Sequence, residues 1–162
     1  MDLTDFWVAV ATHPFSLAIG EGFWFPFIES IHVLAAVLVV GAILTVDLRL
    51  LGLAGGRYQV SRIVRELVPW SQSAFVIAVV TGVGLFITSA DRYIVNQAFI
   101  IKLAMLLLAG INIAIFHFHT LRTVGAWDRA LSAPFKAKAA GAVSLVCWAG
   151  VMFAGRWIGH LL

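Results

Sequence analysis

Four ionisable side chains lie within apolar stretches of the sequence, and side chains of these types could hold a charged cofactor. Glu29 and His32 lie three residues apart, which places them on the same side of a helix, and Lys102 and Arg156 lie in later apolar stretches. An imidazole can ligate a metal or a haem iron. A charge at membrane depth costs roughly 2.5–3.5 kcal/mol on insertion scales, so each of these groups needs a partner or a cofactor.

These four side chains have two interpretations. In the first, Glu29 pairs with Lys102 or Arg156 to neutralise buried charge, and Lys102 extends its ammonium toward the membrane surface. In the second, His32 ligates a metal or haem iron, and the two cations neutralise haem propionates. Depths counted at about 1.5 Å per residue place all four side chains in one layer, so the residues alone leave both interpretations open.

A second polar layer is predicted toward the opposite membrane surface. Its members come from three predicted helices: Asp47, Ser71, Ser73, Asn112, His117 and His119. Asn112 and His119 share a helical face, whereas His117 lies well off it, so the two histidines face one pocket only if the helix is distorted. Hydrogen bonding to water or to a lipid head group at the interface is the structural alternative for either histidine.

The second axial ligand of a haem at His32 stays open. A single haem held by His32 and His117 would have to bridge about 14 Å along the membrane normal, which argues against that pair. His13 and His160 lie on the same side of the membrane as His32. Either one of them supplies a second ligand or the iron is five-coordinate.

The elements that must hold these side chains are transmembrane helices. The 162 residues are 62% hydrophobic and 12% charged, and their mean hydropathy of +1.00 exceeds that of a soluble domain. We predict one all-α domain, residues 1–162, that is a transmembrane four-helix bundle with a short N-terminal interfacial helix. The predicted spans are about 25–48, 70–89, 98–121 and 139–160. Residues 3–19, which Pro14 interrupts, form the interfacial helix.

The basic residues predict the orientation of the bundle. Arg92 is the clear loop cation on one side of the predicted spans, and the other flanking cations share the opposite side: Arg49, Arg57, Arg62, Arg65, Arg122, Arg129, Lys136 and Lys138. By the positive-inside rule the basic side is cytoplasmic, so both termini are expected on the periplasmic side of the bacterial inner membrane. The net charge of +3 therefore reflects topology and predicts no nucleic-acid partner.

Motifs of soluble enzymes do not occur in the sequence. It contains no nucleophile elbow, phosphate-binding glycine loop, HExxH or CxxC pattern. Hydrolysis, nucleotide chemistry and structural zinc therefore have no support. No catalytic residue is predicted, and the sequence leaves open whether the protein is an enzyme.

Two segments carry motifs that recur together in known membrane proteins. The first reads Glu29-Ser-Ile-His32-Val-Leu-Ala-Ala, followed by Gly41 and Asp47-Leu-Arg49-Leu-Leu. The second reads Ile101-Lys102-Leu103-Ala104 and runs on to His117. This pattern resembles the small four-helix haem families, namely the copper-resistance protein D-like domain and the short membrane protoporphyrinogen oxidase. The resemblance implies haem b as the cofactor, with His32 as an iron ligand and Lys102 as a supporting cation.

We therefore expect a membrane protein that binds one b-type haem in its periplasmic half and transfers electrons, with a quinone or a periplasmic redox protein as partner. The candidate cofactor-binding residues are His32, Lys102, Arg156, His117 and His119. The candidate metal ligands are His32 and His160. Two alternatives stay open: a non-redox accessory or assembly subunit, and a small metal-ion transporter that uses Glu29, His32 and Asp47. Besides lipid, a homo-oligomer or a larger membrane complex is compatible with the sequence.

Overall fold

The computed structural model describes residues 2–54, 56, 58–128, 130 and 132–161. Over these residues the chain is helical and contains no strand, which confirms the predicted all-α class. The predicted turn at Gly55 and the predicted loop cations Arg57 and Arg129 lie outside the described residues.

Four long helices are apolar enough to cross a membrane. They are α3 (Trp24–Leu51), α4 (Val60–Ile87), α6 (Gln97–Ile115) and α7 (Phe135–Leu161). A π-helical turn (Phe116–Thr120) and a 3₁₀ turn (Leu121–Ala126) extend α6. The three short helices are α1 (Leu3–Ala11), α2 (Pro14–Gly20) and α5 (Ala90–Tyr93). The four predicted spans are thus confirmed as four helices, with bounds that differ mainly in α4.

The N-terminal segment forms two short helices, α1 and α2, on either side of the predicted break at Pro14. Asp2 caps α1 because its carboxylate accepts a hydrogen bond from the Leu3 N–H at 2.7 Å. Proline at the first position of α2 costs no helical hydrogen bond. The Ser16 hydroxyl donates to the Val10 carbonyl at 2.7 Å, which ties the two helices together.

Helix α4 begins ten residues before the predicted span, at Val60 instead of residue 70. Pro69 therefore lies inside the helix and not at its start. It lacks an N–H, so one helical hydrogen bond is lost, yet the helix continues through it. The Asp128 carboxylate supports the first turn by accepting hydrogen bonds from the Ser61 N–H at 2.8 Å and the Ser61 hydroxyl at 2.6 Å. This distant cap could not be seen in the local sequence.

Arg49 and Asp128 stabilise one end of the bundle, here called the basic end. It is the end at which residues 52–59 and 127–134 connect the long helices. Arg49 is only 2% exposed and donates to the Tyr58 carbonyl at 2.9 Å and the Ala130 carbonyl at 3.2 Å. Partial burial disfavours the charge of Asp128, but hydrogen bonds from Ser61 and the positive charge of Arg49 together lower the pKa of that carboxyl. The two connections are thus held to one another and to α4.

The four long helices pack in the spatial order α4, α3, α7, α6. Gly141 permits close approach at the seam between α3 and α7, because a Cβ at this position would lie 3.3 Å from the Asp47 carbonyl oxygen and from Leu50 Cβ. The buried core at mid-height includes Val39, Cys147 and Val151. Over the described residues α4 and α6, at the two ends of this row, share no extensive interface, and the stacked rings of Phe86 and Phe99, with centroids 5.4 Å apart, join them.

The opposite end of the bundle, here called the terminal end, gathers α1, α2, α5 and the last turn of α7. The Asn96 side chain donates to the Ile158 carbonyl at 3.2 Å, which joins the start of α6 to the end of α7. Gly20 of α2 lies against Thr88 after α4. Four crossings therefore leave α1 and the end of α7 on one side, as the sequence predicted, and the basic connections on the other.

Candidate functional site

His32 lies at the interface of α3 and α4, in a notch opened by Gly82. A Cβ at Gly82 would lie 3.1 Å from His32 Cε1, so a larger residue would force the ring to shift by a few tenths of an ångström. His32 Nδ1 lies 2.9 Å from the Ala78 carbonyl oxygen and 3.1 Å from Thr81 Oγ1. Because a carbonyl only accepts, Nδ1 carries the proton, and Nε2 is left with a free lone pair.

Lys102 occupies a similar notch between α6 and α7. A Cβ at Gly155 would lie 3.8 Å from Lys102 Nζ and 3.9 Å from Cδ and Cε, so the lysine stem runs across this glycine. The side chain is half-buried, and it forms no hydrogen bond or ion pair with the part of the chain that the structure describes. Its charge acts on the His32 ring across the space between the two helix pairs. Lys102 and His32 thus form one layer, as predicted.

Glu29 does not form the predicted ion pair with Lys102 or Arg156. Among the described residues, the ion pair that forms joins Arg62 and Glu66, at 2.8 Å. Glu29 is exposed on α3, and its charge reaches both the His32 ring and Tyr93 of α5. The prediction failed because Lys102 lies inward over Gly155, whereas the Glu29 side chain faces outward.

Tyr93 shows how the terminal end closes over this layer. Burial raises the pKa of the Tyr93 hydroxyl, Arg92 opposes that effect, and Glu29 adds to it. The ring also packs against Phe86 and Phe99, with centroids 5.9 and 5.5 Å away. An aromatic cluster therefore separates the His32 layer from the membrane surface.

The remaining candidates of this layer lie on the outside of the bundle. Arg156 is exposed on α7. His160 is exposed at the end of the same helix, with its ring centroid 6.1 Å from that of Trp157. Within residues 2–54, 56, 58–128, 130 and 132–161, no three His, Cys, Asp or Glu side chains come together in a group that could hold a metal ion. His160 thus lies on the outside of α7, whereas the His32 ring lies between α3 and α4.

A second candidate site, here called the membrane cavity, occupies the half of the bundle nearer the basic end. Its volume is about 570 Å³, within the roughly 300–1,000 Å³ typical of small-molecule sites. All four long helices contribute to its wall, which is mostly apolar. Val76 of α4 and Ile113 of α6 line the cavity yet are 60% and 47% exposed. The cavity therefore opens toward lipid between α4 and α6.

The polar side chains of the cavity correspond to most of the predicted second layer. Those that line it are Asp47, Ser71, Gln72, Asn112, His117 and Ser144. His119 and Ser73 lie outside the wall. The predicted shared face of Asn112 and His119 is wrong: Asn112 and His117 line the cavity and His119 does not. The physical reason is the π-helical turn at Phe116–Thr120, which changes the helical register between these residues.

Two polar atoms of the cavity residues lack a hydrogen-bond partner in the described part of the chain. They are Asp47 Oδ2, an acceptor on a carboxyl that lies beside the Ser144 hydroxyl, and Trp148 Nε1, a donor. Asn112, in contrast, is satisfied because its amide donates to the Ala140 carbonyl at 2.9 Å. Sequence reasoning missed Trp148 and Ser144, although their spacing of four residues places both on one face of α7.

The fold and its two polar layers define a multi-pass α-helical membrane protein with a cavity open to lipid. The chain belongs to DUF6644, described as a family of unknown function, whose model matches residues 7–161. No curated protein and no solved structure matches the chain.

Proposed function

We propose that the protein binds a b-type haem through His32 and transfers electrons within the bacterial inner membrane. One observation carries the proposal: His32 Nδ1 is held by the Ala78 carbonyl, so that Nε2 is available as a ligand in the same layer as Lys102, which has no ion-pair partner among the described residues. The resemblance of the His32 and Lys102 segments to haem-binding families adds support of a different kind.

The residues in this layer suit one axial bond to haem iron. Histidines that ligate metals almost always donate their other ring N–H to a carbonyl or carboxylate, and the bond to Ala78 provides that contact. Lys102 offers a positive charge that a propionate can neutralise, and the described residues supply no competing carboxylate within ion-pair distance. His117 lies in the other half of the bundle, so it is not the second ligand in this proposal.

Each residue has a definite task in the proposed site. Gly82 leaves room for the imidazole, and the Ala78 carbonyl fixes its orientation and tautomer. When bound, a b-type haem supplies a one-electron redox couple. The aromatic cluster of Phe86, Tyr93 and Phe99 excludes water from the layer. With the terminal end periplasmic, the electron partner is a quinone in the bilayer or a periplasmic redox protein.

Reduced-minus-oxidised absorption spectra of purified protein, expressed with ample haem supply, test this proposal. We expect a b-type spectrum that His32→Ala abolishes. His32→Gln also abolishes it, although its amide can still donate to Ala78, so loss of haem is separated from loss of the α3–α4 contact. His160→Ala is the matched control and keeps the spectrum. Wild-type protein without haem, or an unchanged spectrum in both His32 variants, contradicts the proposal.

Lys102 is tested by how firmly haem is retained. Lys102→Ala removes the unpaired positive charge, so it should weaken haem retention during purification or shift the potential while the axial bond persists. Arg156→Ala removes a cation from the exposed face of α7 at a similar height. Equal effects of the two variants would mean that net charge, and not the position of Lys102, controls retention.

A haem-free accessory subunit is the second candidate, and the same histidine supports it. The hydrogen bond from His32 to Ala78 joins α3 to α4, which by itself explains a half-buried histidine without any cofactor. In that case His32→Gln preserves stability, and no variant changes an absorption spectrum. The transporter alternative has less support, because the buried core at Val39 and Val151 lies between the His32 layer and Asp47.

A further inference from the structure

We infer that the membrane cavity binds the ring of an isoprenoid quinol, which enters from the bilayer between α4 and α6. The inference deepens the proposed function and rests on it only for the choice of a redox-active ring. The cavity and its two unpartnered polar atoms are independent of His32.

The unpartnered atoms define the chemistry that an occupant must present. Asp47 is 4% exposed and Trp148 is 7% exposed, so water does not reach either free atom, and an occupant bonds to them once the two side chains rotate toward the cavity. A buried polar atom without a partner costs about 1–3 kcal/mol. Asp47 Oδ2 needs a donor and Trp148 Nε1 needs an acceptor. A ring hydroxyl provides both functions, since it donates one hydrogen bond and accepts others.

The rest of the cavity restricts the occupant to an apolar body. The wall is formed mainly by aliphatic and aromatic side chains, among them Val39, Val68, Phe75 and Leu106. The opening between α4 and α6 faces lipid, which leaves a path for a long hydrocarbon tail. An isoprenoid quinol combines both features, because it has hydroxyl groups on a flat ring and a long apolar tail.

Ordinary membrane lipids meet these requirements less well. An acyl chain offers no donor to Asp47 and no acceptor to Trp148. A phosphate head group would bring negative charge next to the Asp47 carboxyl and into an apolar cavity. A quinol therefore offers a donor and an acceptor on an uncharged ring, whereas a phospholipid head group brings its charged phosphate with them.

The test measures binding of a tritium-labelled benzoquinol with a decyl tail to the full chain in phosphatidylcholine nanodiscs, under anaerobic conditions. We expect saturable binding above that of empty nanodiscs. Asp47→Leu and Trp148→Phe each remove one hydrogen bond, so each should weaken binding roughly tenfold. The matched controls are Asp91→Leu in α5 and Trp157→Phe on the exposed face of α7, which should bind like the wild type.

Two results would overturn the inference: binding that never saturates, as expected for partition into lipid, and equal affinity in the wild type and both cavity variants. If one cavity variant fails to fold, the other still decides the question. Haem content is measured on the same samples. Saturable quinol binding without haem overturns only the proposed function, and haem without saturable quinol binding overturns only this inference.

Discussion

Gly141 gives a quantitative test of the seam between α3 and α7. In Gly141→Ala the new Cβ would lie 3.3 Å from the Asp47 carbonyl oxygen and 3.3 Å from Leu50 Cβ. The first of these neighbours is backbone, so it cannot rotate away as a flexible side chain could. The helices must separate by a few tenths of an ångström, and overpacking of this kind typically costs about 1–3 kcal/mol.

Alanine substitutions at two other glycines serve as references for this effect. Gly41 has no neighbour within 4 Å of an added Cβ among the described residues, whereas a Cβ at Gly150 would lie 3.2 Å from Met105 Cγ. Alanine in a helix interior gains up to about 1 kcal/mol over glycine. We therefore expect Gly41→Ala to stabilise the protein. Gly150→Ala should be nearly neutral, because methionine adapts its rotamers readily.

The net effect of Gly141→Ala is the overpacking cost less the helix-propensity gain, which amounts to about 0–2 kcal/mol of destabilisation. Thermal unfolding of the three variants in one detergent measures the rank order, with the wild type as reference. The expected order of stability is Gly41→Ala, then Gly150→Ala, then Gly141→Ala. If Gly141→Ala is as stable as Gly41→Ala, the close approach of α3 and α7 is not as described.

Two further predictions concern the orientation and the basic end of the bundle. Reporter fusions at Leu162 should be periplasmic and those within residues 122–138 cytoplasmic, and the reverse pattern would refute the assignment of sides. Asp128→Ala should lower the free energy of unfolding at neutral pH by about 1 kcal/mol, because it removes the cap on α4. Since the folded-state pKa of Asp128 is lowered, this difference persists above about pH 4, near the ordinary pKa, and disappears as the pH falls through the folded-state value. A difference that remains constant into strong acid would contradict this account.

The four long helices could be predicted because hydropathy is a local property of the chain. Each apolar run had to satisfy its backbone hydrogen bonds internally, which in lipid means a helix. The start of α4 could not be predicted from the same signal. Its first turns are polar and precede Pro69, and they are supported by Asp128, which is distant in the sequence.

The sequence predicted the depth of the candidate residues in the membrane, but it did not predict which helices are neighbours. Counting along the helices correctly placed His32 near Lys102, and Asp47 near Asn112 and His117. It could not show that His32 turns toward Ala78 of α4 and leaves Glu29 outside. Those contacts depend on which helices are neighbours and how each is rotated, and neither property is encoded in the hydropathy of one chain.

The order of the helices also has a consequence for biogenesis. The most extensive packing joins α3 to α4 and α6 to α7, and each pair is a hairpin of consecutive long helices. Each hairpin can therefore form as soon as its second helix has left the translocon, in keeping with the two-stage assembly of membrane proteins. The cavity has walls from both hairpins, so it exists only after they join. Loading of any ligand there must then follow completion of the chain.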